Sequence, residues 1–375
     1  MEIAEVESLH VGGRHYVRIT TDNGLVGLGQ SACWAYPEAV HEVIQTFRKY
    51  LIGQDPMRIE HHWQHLYRMG PFRGSILGGA VSAVDIALWD VKGQRLQAPI
   101  WDLLGGKCRD KVRLLLLMGG STPEDLAANA KAAVAEGFTA IKFDPLPGGY
   151  QDMALPALIA TAVERTAAAR EAVGKDVDVV IELHRKLTPL QALPLGDALA
   201  QFHPLLIEDP IQIDSLQSQA ELARRIPTAF GNGERVHTIW EFRELLAAGG
   251  AQYVRPDVAL AGGFTHCKKI AAVAESYHAA VVTHNFLGPV QTQASVHLDV
   301  AIPNFVVQEY PKGYEGEAGA PYPGALKREG GYLPVPEAPG LGIRLDESKL
   351  SEPGRPLLDP TRIPYRADGS VAYSV

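Results

Sequence analysis

Three glutamates recur at intervals of 26 residues, each closing a short apolar run: Glu182 in VVIELH, Glu208 in PLLIEDP and Glu234 in AFGNGER. Ionisable residues continue the beat, with Asp257 23 residues on, His284 27 after that and Glu309 25 after that. Three carboxylates brought together repel one another unless a cation sits between them. An imidazole beside a carboxylate is fixed in its tautomer and made more basic. The two sets together describe a divalent-metal site next to a proton-transfer dyad. The competing reading, three separate solvated glutamates, does not explain why all three close an apolar run.

The spacing also names the elements that must position these groups. One strand plus one helix occupies about this length, and a series of such units closes into a parallel α/β barrel whose active face is the carboxyl ends of the strands. The strands read as VRLLLLMGG, TAIKFDP, DVDVVIELH, LLIEDP, PTAFGNGE, AQYVRPD, AAVVTHN and NFVVQEY. Seven helical segments lie between them, so the expectation is a modified (β/α)7β TIM barrel. Ser121-Thr122-Pro123-Glu124 starts the first of these helices with a capping sequence. Residues 1–30 alternate around an Asp22-Asn23-Gly24 turn, as in a small antiparallel sheet. From Pro37 to Gly105 the pattern is helical, and AVSAVDIALWDVKG reads as a long amphipathic helix. After Glu309 the chain turns rich in Pro and Gly and loses helical period, yet keeps many Tyr and Leu. The expected class is α/β: an α+β capping domain over 1–110, the barrel over 111–310, and a segment 311–375 that packs back on the capping domain.

Bulk properties narrow the partners. A length of 375 residues fits a barrel of about 250 plus a second domain. Apolar residues at 46% and charged residues at 21% are those of an ordinary globular protein. A net charge of −8 offers no attraction to nucleic acid or anionic membrane. No run of about 18 apolar residues marks a membrane span. The N-terminus lacks a signal-peptide pattern, and Cys33, Cys108 and Cys267 have neither zinc nor disulfide spacing. A cytoplasmic protein acting on a small molecule is expected.

Alternate residues of a strand face one side, so Glu182 and His184 are expected to point together into the barrel mouth, as are Lys142 and Asp144. Glu182, Glu208 and Glu234 offer oxygen alone, which suits Mg²⁺ better than zinc. Asp257 and His284 end neighbouring strands, making His284 a general base. Lys142 is a candidate to neutralise a substrate carboxylate. Asp144 is expected behind it, hydrogen-bonded to Lys142 or Arg185. Glu309 is a candidate to donate a hydrogen bond to a substrate carboxylate if burial raises its pKa; the alternative is a surface Glu before a Pro turn. His237, His266, His278 and His297 fall in helical patterns and read as structural.

In order along the chain, E-L-H-R (182–185), I-E-D-P (207–210), G-E-R (233–235), P-D-V-A-L-A-G-G (256–263) and H-N-F-L-G-P (284–289) resemble the barrel motifs of the enolase superfamily. The branch is the mandelate racemase-like one, and the similarity is greatest to acid-sugar dehydratases of the galactonate dehydratase kind. LIGQDPMRIEHHWQHLYRMGPFRG and AVDIALWDVKGQRLQAPIWDLLGG resemble that family's capping domain and first helices. The resemblance implies that Glu182, Glu208 and Glu234 bind Mg²⁺, that the Asp257–His284 dyad removes the proton next to the substrate carboxylate, and that His184 is the general acid for the departing hydroxyl. It implies a homo-oligomer acting on a sugar acid, with galactonate, gluconate and arabinonate the first candidates. Racemases of this branch carry a second Lys two places after the first on strand two; here that place holds Asp144, which favours one-base dehydration. Glu182 stands where many relatives have Asp, and Arg185 and Lys186 where relatives commonly show Gly and Arg, so Arg185 is a candidate substrate contact. Specificity is expected in loops Cys33–Tyr36 and Arg68–Gly74. The alternatives are an isomerase of the same fold, either an epimerase or a cycloisomerase, and a barrel that only binds sugar acids.

Overall fold

A computed structural model describes residues 1–350, 359 and 363–373. Strands β1 (Ile3–Val11), β2 (Arg14–Thr21) and β3 (Val26–Ser31) form an antiparallel sheet in that order. Helices α1 (Pro37–Leu51), α2 (Ile59–Arg68), α3 (Ser75–Leu96) and the short α4 (Ile100–Leu103) follow. Gly27 and Gly29 let β3 lie directly on the α3 backbone: a Cβ at either would sit 2.1 Å from Ala87 O or 1.9 Å from Ala83 O. The other side of α3 meets the barrel through Asp85, whose Oδ1 accepts from Thr265 N at 3.1 Å. This explains one departure from the sequence reading. Helix α3 is buried almost continuously from Gly79 to Leu88, so it is a central helix covered on both sides, without a solvent stripe.

The barrel runs β4 (Lys111–Leu117), α5 (Pro123–Ala135), β5 (Ala140–Phe143), α6 (Leu155–Val173), β6 (Asp178–Glu182), α7 (Pro189–Leu199), β7 (Leu206–Glu208), α8 (Leu216–Arg225), β8 (Phe230–Asn232), α9 (Ile239–Ala247), β9 (Tyr253–Val254), α10 (Gly263–Ser276), β10 (Ala280–Thr283), α11 (Pro289–Ala301) and β11 (Phe305–Tyr310). Each strand pairs in parallel with the next, and β11 pairs with β4 to close the ring. The expected (β/α)7β barrel is therefore present. Thr122 caps α5 reciprocally with Asp125, satisfying the backbone donors of both residues at its start. Leu115, Ala140, Val180, Leu206, Val282 and Val307 fill the lumen as a small apolar cluster.

Past the barrel, β12 (Tyr332–Pro334) adds antiparallel to β4, a strand that the Pro- and Gly-rich composition did not announce. The same segment reaches the N-terminal elements: Leu341 N donates to Asp90 Oδ1 at 2.8 Å, Trp101 Nε1 to Pro336 O at 2.6 Å, and the Tyr16 and Tyr322 hydroxyls lie 3.0 Å apart. Residues 351–358, 360–362 and 374–375 of the 311–375 segment lie outside the described residues. Among the described residues no helix is long and apolar enough to cross a membrane.

Candidate active site

Glu182 and Glu208 end β6 and β7 as direct register partners, and Glu234 follows β8. One oxygen from each lies within 4.8 Å of the others, and all three residues are buried. Two more carboxylates and three cations pack around them. Lys142 Nζ is 2.8 Å from Glu182 Oε2, 2.8 Å from Glu208 Oε1, and paired with Glu309. Arg185 Nη1 bridges Asp209 Oδ2 at 2.6 Å and Glu234 Oε1 at 2.7 Å. Arg255 Nη2 sits 2.8 Å from Glu208 Oε1 and 3.1 Å from Glu309 Oε2. Arg235 Nη2 adds a fourth cation, 3.4 Å from Glu234 Oε1, so five carboxylates face four cations and an excess of one negative charge remains. Glu208 Oε2, fully buried, has no hydrogen-bond partner. An oxygen-only donor set, an excess of negative charge and an orphaned carboxylate oxygen fit a hard divalent cation.

The electrostatics follow from this crowding. Burial raises the Glu208 carboxyl well above its ordinary value despite Arg255, and Glu182 adds to the rise. Burial also opposes ionisation of Glu182 and Glu234, but Lys142 and His184 outweigh it for the first, and His284 and Arg185 for the second. Lys142 pays a desolvation cost, yet Glu182, Glu208 and Glu309 hold it protonated.

Next to the ring stands the dyad. Asp257 follows β9 and His284 follows β10, which pair in parallel. His284 Nδ1 is 2.6 Å from Asp257 Oδ2. That carboxylate is fixed further by Gln291 Nε2, donating to Oδ2 at 2.7 Å, and by Ala259 N, donating to Oδ1 at 2.8 Å. With Nδ1–H given to Asp257, Nε2 is left to accept a proton. It lies 3.5 Å from Glu234 Oε2 and 3.9 Å from Glu309 Oε2, so the dyad adjoins the ring. Phe286 packs on His284 with ring centres 5.2 Å apart, and Trp34, from the loop after β3, meets Phe286 at 6.2 Å.

The structure adds partners to several of the expected residues. Lys142 cross-links Glu182, Glu208 and Glu309. Glu309 pairs with Lys142 and Arg255; burial raises its pKa, but Lys142, Arg255 and His284 outweigh this and lower it. Arg185 is buried and pairs with Glu234 and Asp209. Asp144 pairs with Lys186, and its Oδ1 accepts from Leu146 N at 2.8 Å; neither Lys142 nor Arg185 is its partner. His184 does not share a strand face with Glu182, because β6 stops at Glu182 and His184 and Arg185 adopt left-handed backbone at φ 54° and 62°. The bend is held by His184 N donating to Glu182 Oε1 at 2.9 Å. Burial lowers the His184 pKa more than Glu182 and Glu234 raise it. Arg255 went unremarked in the sequence, although VRPD places a long cation directly after a strand. His237 precedes α9, with Nε2 2.8 Å from Ser75 Oγ, and His278 follows α10; only His266 and His297 lie within helices.

Known proteins match this chain over both of its parts. Residues 7–105 match the mandelate racemase / muconate lactonizing enzyme N-terminal domain, and residues 125–349 match the enolase C-terminal domain-like family. The chain is 36% identical to a D-galactonate dehydratase of Ralstonia nicotianae, over 95% of both sequences. It is 35% identical to a D-galactonate dehydratase of Klebsiella pneumoniae, again over 95% of both. Among solved structures it is similar to an enolase from Agrobacterium radiobacter with Na and L-malate bound, at TM-score 0.92 and 27% identity over 100% of both chains. A mandelate racemase/muconate lactonizing enzyme from Jannaschia sp. CCS1 superposes at TM-score 0.86 with 30% identity, over 96% of this chain and 100% of that one.

Proposed function

The chain belongs to the mandelate racemase / muconate lactonizing enzyme family of the enolase superfamily, and from that premise we propose that it is a Mg²⁺-dependent hydro-lyase that dehydrates a sugar acid. The observation that carries the reading is the 2.6 Å His284–Asp257 contact beside a ring of three buried glutamates. The D-galactonate dehydratases at 35–36% identity support an aldonate as substrate.

Glu182, Glu208 and Glu234 would hold the cation. When bound, Mg²⁺ supplies charge stabilisation for the substrate carboxylate as its α-proton leaves. The α-proton of a carboxylate is too weak an acid for imidazole in water, so the chain's own groups must be arranged to help. His284 Nε2 takes that proton while Nδ1–H stays with Asp257. His184 gives a proton to the β-hydroxyl. The Cα–H and Cβ–O bonds break, a C=C bond forms, and water departs. The enol left behind tautomerises to a 2-keto-3-deoxy acid. Asp144, tied to Lys186, supplies no second base for the opposite face. Residues 1–110 with the 311–375 segment are proposed to cap the barrel, in a cytoplasmic homo-oligomer.

The test is a panel of five- and six-carbon sugar acids assayed for keto-acid formation. The reading predicts turnover of at least one aldonate, its loss on EDTA treatment and its return with Mg²⁺. An epimer formed without loss of water would instead make the protein an isomerase.

A further inference from the structure

Arg255 is the largest fully buried side chain among the described residues, yet it stands outside the proposed ligand set and the dyad. Its stem passes Gly231 on β8, where a Cβ would come 3.3 Å from Arg255 Cδ and 2.8 Å from Leu206 Cδ1. Its Nη2 meets Glu208 Oε1 at 2.8 Å, Glu309 Oε2 at 3.1 Å and Glu234 Oε2 at 3.5 Å. Its Nε and Nη1 are buried with no partner. Two idle donors are a poor bargain if charge balance is the sole purpose, because an unpaired buried N–H is unfavourable. Lys142 already brings a positive charge to the same oxygen of Glu208 at 2.8 Å. What Arg255 adds is a second direction. Lys142 reaches Glu208 Oε1 from β5 and Arg255 reaches it from β9, so the carboxylate cannot turn to exchange its two oxygens. Oε2 is the oxygen that remains without a partner.

We infer that Arg255 is a positioning residue that clamps Glu208 by Oε1, presents Oε2 to the cation, and ties Glu309 into the same frame. This rests on the reading that Glu182, Glu208 and Glu234 hold a divalent ion. Arg255 itself touches neither the ion nor the substrate.

The test is calorimetric titration of Mg²⁺ alone into chelator-stripped wild type, Arg255→Lys and Gly231→Ala. Arg255→Lys keeps the charge but shortens the side chain that carries Nη2 to Glu208 Oε1, so the Mg²⁺ Kd should rise by roughly 10- to 100-fold, as for other residues that orient metal ligands. Gly231→Ala keeps every charge and adds a methyl that meets Leu206 at 2.8 Å and the Arg255 stem at 3.3 Å; its Kd should rise by a smaller factor, and it carries the test if Arg255→Lys does not fold. At Mg²⁺ concentrations that saturate each variant, KM for the sugar acid should stay at the wild-type value. Wild-type Mg²⁺ affinity in both variants overturns the inference and makes Arg255 a buried counter-ion only. A wild type that takes up no Mg²⁺ overturns the metal reading and this inference with it.

Discussion

His284 and His266 are both buried histidines, and their surroundings could hardly differ more. His284 is 4% exposed, bonds Asp257 at 2.6 Å, and faces two further carboxylates. His266, on α10, is 0% exposed and stacks on Trp63 with ring centres 3.4 Å apart. Neither of its nitrogens has a partner. Burial, with a smaller push from Lys269, lowers its pKa to about 3. A buried imidazole alone is a neutral aromatic plate; a buried imidazole given a carboxylate is a tool for moving protons. Burial by itself therefore says little about function, and the partner decides.

Substitution at the two rings should separate them sharply. The largest effect is expected from His284→Asn, which removes the base and should cut kcat by about 10²- to 10⁴-fold with the circular dichroism spectrum unchanged. Turnover within tenfold of wild type would remove His284 from the reaction. His184→Gln should lower keto-acid formation by roughly 10²-fold or more while exchange of the α-proton in D₂O continues, because only the acid step is lost. If exchange stops as well, His184 acts on both steps. Gln291→Leu takes one donor from Asp257 and should lower kcat by roughly tenfold with little change in KM. The smallest effect on turnover, none, is expected from His266→Phe, which keeps the ring stack.

His266→Phe should instead change the response to acid. The folded-state pKa of about 3 lies below the ordinary 6.5, so the neutral ring stabilises the fold above pH 6.5 and that stability is lost as pH falls toward 3. Wild type should lose up to about 1.4 kcal/mol per pH unit from this group across that window. Urea unfolding at pH 7 and pH 5 should show a smaller difference between the two pH values in the Phe variant. His15 and His297, lowered to about 3 and about 4, keep part of the acid sensitivity in both proteins.

The same contrast explains what could be read from the sequence. The barrel was legible because a strand–helix unit repeats its length, and Glu182, Glu208 and Glu234 stood out because each ends such a unit. Asp257 and His284 followed from neighbouring strands by the same rule. For Lys142 a sequence shows a cation near a barrel mouth but not the three carboxylates it pairs with. The His184 orientation failed because strand alternation was carried past Glu182 into a left-handed bend. Arg255 escaped notice because its role lies in packing depth, beneath the acids and beside Gly231, which no spacing reveals. Helix α3 was misjudged for a related reason: apolar residues on every side mark a helix between two layers, visible only once both layers are in place.

Diffraction from crystals soaked in Mn²⁺, which substitutes for Mg²⁺ and scatters anomalously, tests the central claim most directly. The account predicts a single strong peak about 2.1 Å from one oxygen each of Glu182, Glu208 and Glu234, on the side facing His284. A peak bound elsewhere, or none at millimolar Mn²⁺, would contradict it.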